Sequence, residues 1–280
     1  MKIEQAKQIA NKAIEQLGQA LEKGHSETLK TYLAAMGRFH QYSLRNVMMI
    51  ASQKPQATHV AGFHAWHGLG RFVKKGEQGI MILAPIVRAK NSAAELNKTH
   101  ESATPVGFRA AYVFDISQTD GKDIPHLGSV SGNPVEQREQ LAQFIAEQGI
   151  VLEYSQEIAP ARGRSSGRKI TLLPGLSVSE DFATLVHELA HELLHRDQRR
   201  SQTTKRVRET EAEAVAFVVC SGVGLDTGTA AQDYIHLYEG DADLLQESLE
   251  HIQQTAGLIL GAICAESSSA PGVENAQGEC

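Results

Sequence analysis

Cysteine is scarce in this chain, with only Cys220, Cys264 and Cys280 among 280 residues. None belongs to a CxxC pair, so thiolate metal sites are disfavoured. Three widely separated thiols also make no disulfide framework, and a reducing cytoplasm fits better than an oxidising compartment. Long apolar runs are lacking too. The most apolar segment, around 256–264, is far shorter than the roughly 20 residues that span a bilayer, so no membrane partner is expected. The N-terminus has no apolar stretch of the signal-peptide kind. Aromatics make up 5% of the residues, with one tryptophan, Trp66, so few positions can offer a stacking surface.

A large excess of one charge is also missing, since the net charge is −6. The halves differ, however. Residues 1–133 hold 16 Lys+Arg against 10 Asp+Glu, a balance of +6, and residues 134–280 hold 11 against 23, a balance of −12. That asymmetry suggests two domains with different partners, a polyanion suiting the first.

The strongest positive signal is His187-Glu188-Leu189-Ala190-His191. Two histidines four apart share one helix face, with Cβ atoms about 5–6 Å apart. Both imidazoles can then reach one zinc ion at about 2.0–2.1 Å. Glu188 stands beside them as the base for a metal-bound water. Given 12 His and 24 Glu, one HExxH is expected by chance in only about 4% of such chains. The context is helical: Ser179-Glu180-Asp181 supplies an N-cap and an acidic first turn, and Phe182, Leu185, Val186, Leu189, Ala190, Leu193 and Leu194 supply an apolar stripe.

A catalytic zinc site takes three protein ligands and leaves one position for water. His195 extends the motif but lies eight residues, about 12 Å, beyond His187 along a straight helix. That is too far for one ion, so His195 reads as a helix-end cation or a donor to a ligand. The next helix carries Glu209, Glu211 and Glu213. Glu209 and Glu213 share a face. Glu209 is the expected third ligand and Glu213 the expected acceptor for a ligand histidine N–H. Glu211 remains the alternative ligand. No oxyanion stabiliser is identifiable; Tyr154, Tyr234 and His236 are positional guesses.

Periodicity organises the rest. Helices are expected over 1–23, from Ser26 to about Met36, and from Ser43 to before Pro55. A helical turn carries Phe63, Trp66 and Leu69. A strand at 80–87, interrupted by Pro85, returns over 108–116, with a polar hairpin insertion at 91–105. Residues 121–134 read as a linker. After it come a helix at 135–148, strands at 151–158 and 169–173, a basic loop ARGRSSG between them, and helices at 204–222, 230–237 and 241–264. The tail 266–280 reads as disordered. The fold class is therefore α+β in two domains. Domain 1–120 has helices with a β-hairpin and small sheet, and domain 135–265 is built around the HExxH helix.

YSLRN (42–46) and FHAWHGLGRFVKKGEQGI (63–80), followed by HELAHELLH (187–195) and RETEAEAVAFVV (208–219), resemble antirestriction proteins of the ArdC type. Their metallopeptidase domain is related to the ImmA/IrrE group. The resemblance covers about residues 1–260. It implies a cytoplasmic, plasmid- or phage-borne protein whose first domain binds single-stranded DNA. The second would have a gluzincin-like fold with zinc as cofactor. His187, His191 and Glu209 would be the ligands and Glu188 the catalytic glutamate. A restriction enzyme or a protein substrate is a further implied partner.

Single strands are held by aromatic stacking beside cations. Tyr42, Phe63 and Trp66 are candidates to stack, and Arg71, Lys74, Lys75, Arg38 and Arg45 to meet phosphates. Phe63 and Trp66 read equally well as core, and Lys74-Lys75 as a solvated hairpin. Asn46 belongs either to this surface or to a cap with Ser43. Two rival functions stand beside this one: a non-catalytic DNA-binding protein with structural zinc, and a regulatory protease that cleaves a repressor.

Overall fold

The computed structural model describes residues 2–86, 106–123, 134–225 and 242–264. Helices α1 (Lys2–Glu22), α2 (Ser26–Arg38) and α3 (Leu44–Gln53) open the chain. Strand β1 (Val60–Gly62), helix α4 (Phe63–Gly68) and strands β2 (Arg71–Val73), β3 (Ile80–Ile86), β4 (Gly107–Asp115) and β5 (Thr119–Gly121) follow. Then come α5 (Pro134–Glu147), β6 (Val151–Tyr154), β7 (Gly163–Ser165), β8 (Lys169–Leu172), α6 (Val178–Leu194), α7 (Asp197–Gln202), α8 (Lys205–Gly222) and α9 (Ala242–Cys264). The class is α+β, as expected. The hairpin insertion at 91–105, most of the 121–134 linker, the helix at 230–237 and the tail at 266–280 lie outside the described residues.

The described chain forms two compact units. One contains residues 2–13, 48–86 and 106–123, the other residues 14–47, 134–225 and 242–264. Residues 14–47, expected with the N-terminal domain, thus group with the second unit. The cause is close packing of α2 on α8. A Cβ at Gly37 would lie 2.6 Å from the Val218 carbonyl oxygen, so only glycine lets these backbones approach so closely.

In the first unit β1, β4 and β3 form an antiparallel sheet, with Val60 opposite Asp115 and Ile80 opposite Val113. The sheet runs on through Pro85, which was expected to interrupt it. β3 is an edge strand, and proline is tolerated there because a missing N–H can face away from the ladder. Ala6 and Ala10 of α1, Met49 of α3 and Met81 of β3 form one buried cluster, with Ile9, Leu83 and Ala110 against it. β2 pairs with β5 as a separate ribbon, so part of the segment read as linker is strand.

The second unit places α6 against a three-stranded sheet of order β6-β8-β7, with β6 parallel and β7 antiparallel to β8. β7 falls in the stretch expected to be a basic loop. Gly167 and Arg168, with φ of 56° and 67°, make the two-residue turn from β7 into β8. The N-cap of α6 lies two residues before the expected one, Ser179. Ser177 caps it, and Glu180 reaches back in a capping box. Among the described residues, no helix is long and apolar enough to cross a membrane.

Candidate metal centre

His187 and His191 lie one turn apart on α6, and α8 packs along that helix. Ala212 and Ala216, one turn apart on α8, are buried. The packing brings Glu209 to the two histidines. Nε2 of His187 and Nε2 of His191 are 3.2 Å apart. Glu209 Oε2 is 3.5 Å from the His191 nitrogen and 3.6 Å from the His187 nitrogen. A tetrahedral ion with bonds of 2.0–2.1 Å needs donors roughly 3.3–3.4 Å apart. The three donors therefore already form the triangle that one ion requires. Two imidazoles and one carboxylate suit zinc and related divalent ions.

The groups behind the triangle orient it. Glu213 Oε2 lies 3.3 Å from His187 Nδ1, as anticipated, so this nitrogen can donate and leave Nε2 for a ligand role. Glu211 does not join the triangle. Its side chain is fully buried, with Oε2 2.8 Å from His195 Nε2 and Oε1 2.6 Å from Arg199 Nη2. Glu209, by contrast, is 52% exposed. His195 caps the C-terminus of α6, and its Nδ1 is 3.1 Å from Nδ1 of His191.

Without an ion the triangle holds a proton. Burial opposes a charge on His187, but its hydrogen bonds to Glu209 and Glu213 prevail and raise its pKa to about 9. Burial, reinforced by neighbouring His187, drives His191 down to about 4. The His187 hydrogen bond holds Glu209 near 2. His187 and Glu209 thus form an ion pair, with neutral His191 beside them.

Glu188 faces β7. Burial raises its pKa, partly offset by His187 and by hydrogen bonds from Ser165. Gly163 makes room for it. A Cβ there would meet Glu188 Cγ at 2.7 Å and Thr184 Cγ2 at 2.7 Å. The sequence offered no sign of this role for β7, because it depends on backbone proximity. Tyr154, a guessed oxyanion stabiliser, is engaged elsewhere. Its hydroxyl meets Asp181 at 2.8 Å and Arg138 at 2.6 Å, tying β6 and α5 to the first turns of α6. Tyr234 and His236 lie outside the described residues.

The nucleic-acid candidates are divided. Tyr42 and Asn46 belong to the second unit, and Trp66, Arg71, Lys74 and Lys75 to the first. Asn46 is buried, and Tyr42 packs edge-on against Phe39. Trp66 is 1% exposed, and its indole N–H donates to the Phe114 carbonyl, so it is a core residue with no ring face for a base. Arg71 is structural as well. Its Nε donates to Thr119 Oγ1, Nη1 to the Lys122 carbonyl and Nη2 to the Thr119 carbonyl, which locks β2 to β5. Lys74 is exposed and reaches the Ser117 carbonyl and Asp120; Lys75 is exposed. The exposed rings of this unit include Phe63 and Phe72, at 53% and 57%. Phe63 packs edge-on to His64, and Phe72 edge-on to His67. The alternation in Arg71-Phe72-Val73 was the available signal for Phe72, since an inward Arg71 in a two-stranded ribbon sends Phe72 outward.

An α+β frame thus brings two helix-borne histidines and a carboxylate from a neighbouring helix into the arrangement of a candidate divalent-metal site. Residues 4–114 match the family described as the N-terminal domain of anti-restriction factor ArdC. The chain is similar in fold to the Mn(II)-bound crystal structure of the antirestriction protein ArdC from plasmid R388. The TM-score is 0.51 at 19% identity, covering 91% of this chain and 98% of that one. The metal-free form of the same protein aligns with a TM-score of 0.48 at 22% identity, covering 79% and 85%. An uncharacterized protein of Bacillus anthracis, pXO2-81, is 24% identical over 275 residues, covering 81% of this chain and 46% of that protein. The chain therefore spans about half the length of that relative.

Proposed function

We propose that this protein is an antirestriction factor that binds single-stranded DNA through its first unit and carries a zinc-dependent peptidase site in its second. The observation that carries the metal reading is the donor triangle of His187, His191 and Glu209, spaced at 3.2, 3.5 and 3.6 Å. The Mn(II) in the similar R388 protein supports a divalent ion, and the two-imidazole, one-carboxylate donor set favours zinc. When bound, zinc would supply Lewis-acid polarisation of a carbonyl and acidify a water. Glu188 is the general base. Its buried carboxylate, with raised pKa, takes the proton from the water and delivers it to the leaving amine. Its partner Ser165 sits on the edge strand β7 and holds the carboxylate in place.

Glu188→Gln tests the catalytic step. The variant should keep its zinc and its DNA affinity and lose peptide hydrolysis by about 10²–10⁴-fold, along with protection of incoming DNA from restriction. Full protection with zinc retained would instead leave a structural ion in a protein that acts by DNA binding alone.

Metal binding must displace the proton on His187. Between about pH 6.5 and 9 the metal-free protein loses the stability that this raised pKa contributes, because that contribution is complete only below the unfolded value. Over the same window zinc binding strengthens, by up to about tenfold per pH unit. The gap in melting temperature between zinc-loaded and metal-free protein, measured at fixed free zinc, should widen from pH 6.5 to 9. A gap that narrows would remove His187 from the ligand set.

In the first unit, the exposed rings of Phe63 and Phe72 with Lys74 and Lys75 form the proposed DNA surface, in place of the buried Trp66 and of Arg71, whose guanidinium is bonded to Thr119 and Lys122. Stacking on one ring is worth about 1–3 kcal/mol per base. Phe72→Ala should weaken binding of a single-stranded oligonucleotide roughly 5- to 150-fold without lowering the melting temperature. Unchanged affinity would move the DNA site elsewhere.

A further inference from the structure

His191 and His187 are backed in different ways. His187 meets a carboxylate directly, that of Glu213. His191 meets another imidazole, that of His195, whose far nitrogen meets Glu211. Both His195 and Glu211 have side chains at 0% exposure, and Arg199 neutralises the other oxygen of Glu211 at 2.6 Å. His195 sits where α6 ends, and its backbone N–H still donates to the His191 carbonyl. Its ring is therefore pinned at both nitrogens and at the backbone.

We infer that His195 is a positioning residue for the metal centre and that Glu211 fixes its tautomer. This rests on the metal reading of His187, His191 and Glu209. Glu211 accepts from Arg199 through Oε1 and sets Oε2 2.8 Å from Nε2 of His195, which places that nitrogen to donate. Nδ1 of His195 then faces Nδ1 of His191 at 3.1 Å, and when it is bare it accepts the proton of His191. That proton placement leaves the Nε2 lone pair of His191 facing Glu209 and His187. One buried chain of hydrogen bonds, from Arg199 through Glu211 and His195, thus selects the ligand-competent form of His191. The reverse arrangement, with the proton on Nδ1 of His195 and Nε2 bare, would set a lone pair against the Glu211 oxygen and lose that buried hydrogen bond, although Arg199 still pairs the other oxygen. His195 is thereby useful to the site without touching the ion. This explains a third histidine in the run HELAHELLH at a distance no single metal can bridge.

The test combines zinc affinity with histidine nitrogen shifts on the full chain. Zinc dissociation constants are measured by chelator competition for the parent, His195→Leu and His195→Gln. Losing such a partner typically costs 10–100-fold in metal affinity, and His195→Leu should lose that much. His195→Gln offers an acceptor and a donor on one planar group and should stay within about threefold of the parent. Equal affinity for the parent and a folded His195→Leu would overturn the inference. Absence of zinc binding by the parent would instead overturn the metal reading beneath it. Should His195→Leu fail to fold, the parent decides: long-range ¹⁵N correlation of the zinc-loaded protein should show His195 protonated at Nε2 and bare at Nδ1. A protonated Nδ1 would contradict it.

Discussion

Replacing Glu209 by alanine is expected to cut zinc affinity by at least about 100-fold while leaving the metal-free fold intact. Structural zinc sites bind with about 10–16 kcal/mol in total, so one of a few ligands is worth about 3 kcal/mol or more. The remaining pair, His187 and His191, would still gather an ion weakly. The metal-free fold should tolerate the change because Glu209 is 52% exposed. Its contacts to the histidines at 3.5 and 3.6 Å form a partly solvated ion pair of small net worth. Removing Glu209 also removes the first cause of the raised His187 pKa, which should fall from about 9. Chelator competition and a thermal melt in excess chelator give the two readouts. Zinc affinity within threefold of the parent would exclude Glu209 as a ligand.

Glu211→Ala should act first on the metal-free fold. It lies two residues from Glu209 on the same helix, yet its carboxylate is fully buried between His195 and Arg199. Removing one member of a buried ion pair costs about 3–5 kcal/mol, because the other charge stays in the interior. Among the described residues, Arg199 would retain an ion pair with Glu247, 3.2 Å away and 59% exposed. His195 would lose its acceptor altogether. The metal-free protein should therefore melt on the order of 10 °C lower. Glu211→Gln keeps an acceptor for His195 and should lose less. Destabilisation of less than about 1 kcal/mol would mean that the pair is solvated rather than buried. The two variants together separate a ligand from a core anchor among near-identical sequence neighbours.

That distinction marks how far the sequence could be read. HELAH announced a candidate site, since a helical spacing of four brings two histidines together regardless of what surrounds them. Glu213 behind His187 was also legible from periodicity. Between Glu209 and Glu211, periodicity favoured the first, but the purpose of Glu211 was not visible. Its partner Arg199 is in α7, a short helix without an apolar stripe, and its partner His195 is defined only by where α6 stops. The same reason hid β7: three residues pair through their backbone, with glycine at the point of contact with Glu188. In the first unit, composition drew attention to the lone tryptophan and to Arg71. Trp66 is core because it closes α4 onto β4, and Arg71 because it binds β2 to β5. Residue type marked both as nucleic-acid candidates, but only tertiary context could show that their polar atoms were already in use.

The grouping of α2 with α8 was illegible for a related reason. Gly37 looks like a helix terminator in the sequence, and Met36 was the expected end. The helix continues to Arg38, and the glycine instead gives α2 its contact with α8. A glycine within a helix carries no sequence mark that tells a stop from a close crossing.

The central claim is one divalent ion held by His187, His191 and Glu209, and X-ray absorption at the zinc edge tests it most directly. The zinc-loaded full chain should show one equivalent of zinc with two imidazole nitrogens at about 2.0–2.1 Å and light oxygen donors completing four-coordination. Glu209→Ala should lose an oxygen donor, and His195→Gln should leave the first coordination sphere unchanged. A sulfur scatterer, three imidazoles, or a spectrum untouched by loss of Glu209 would contradict the assignment.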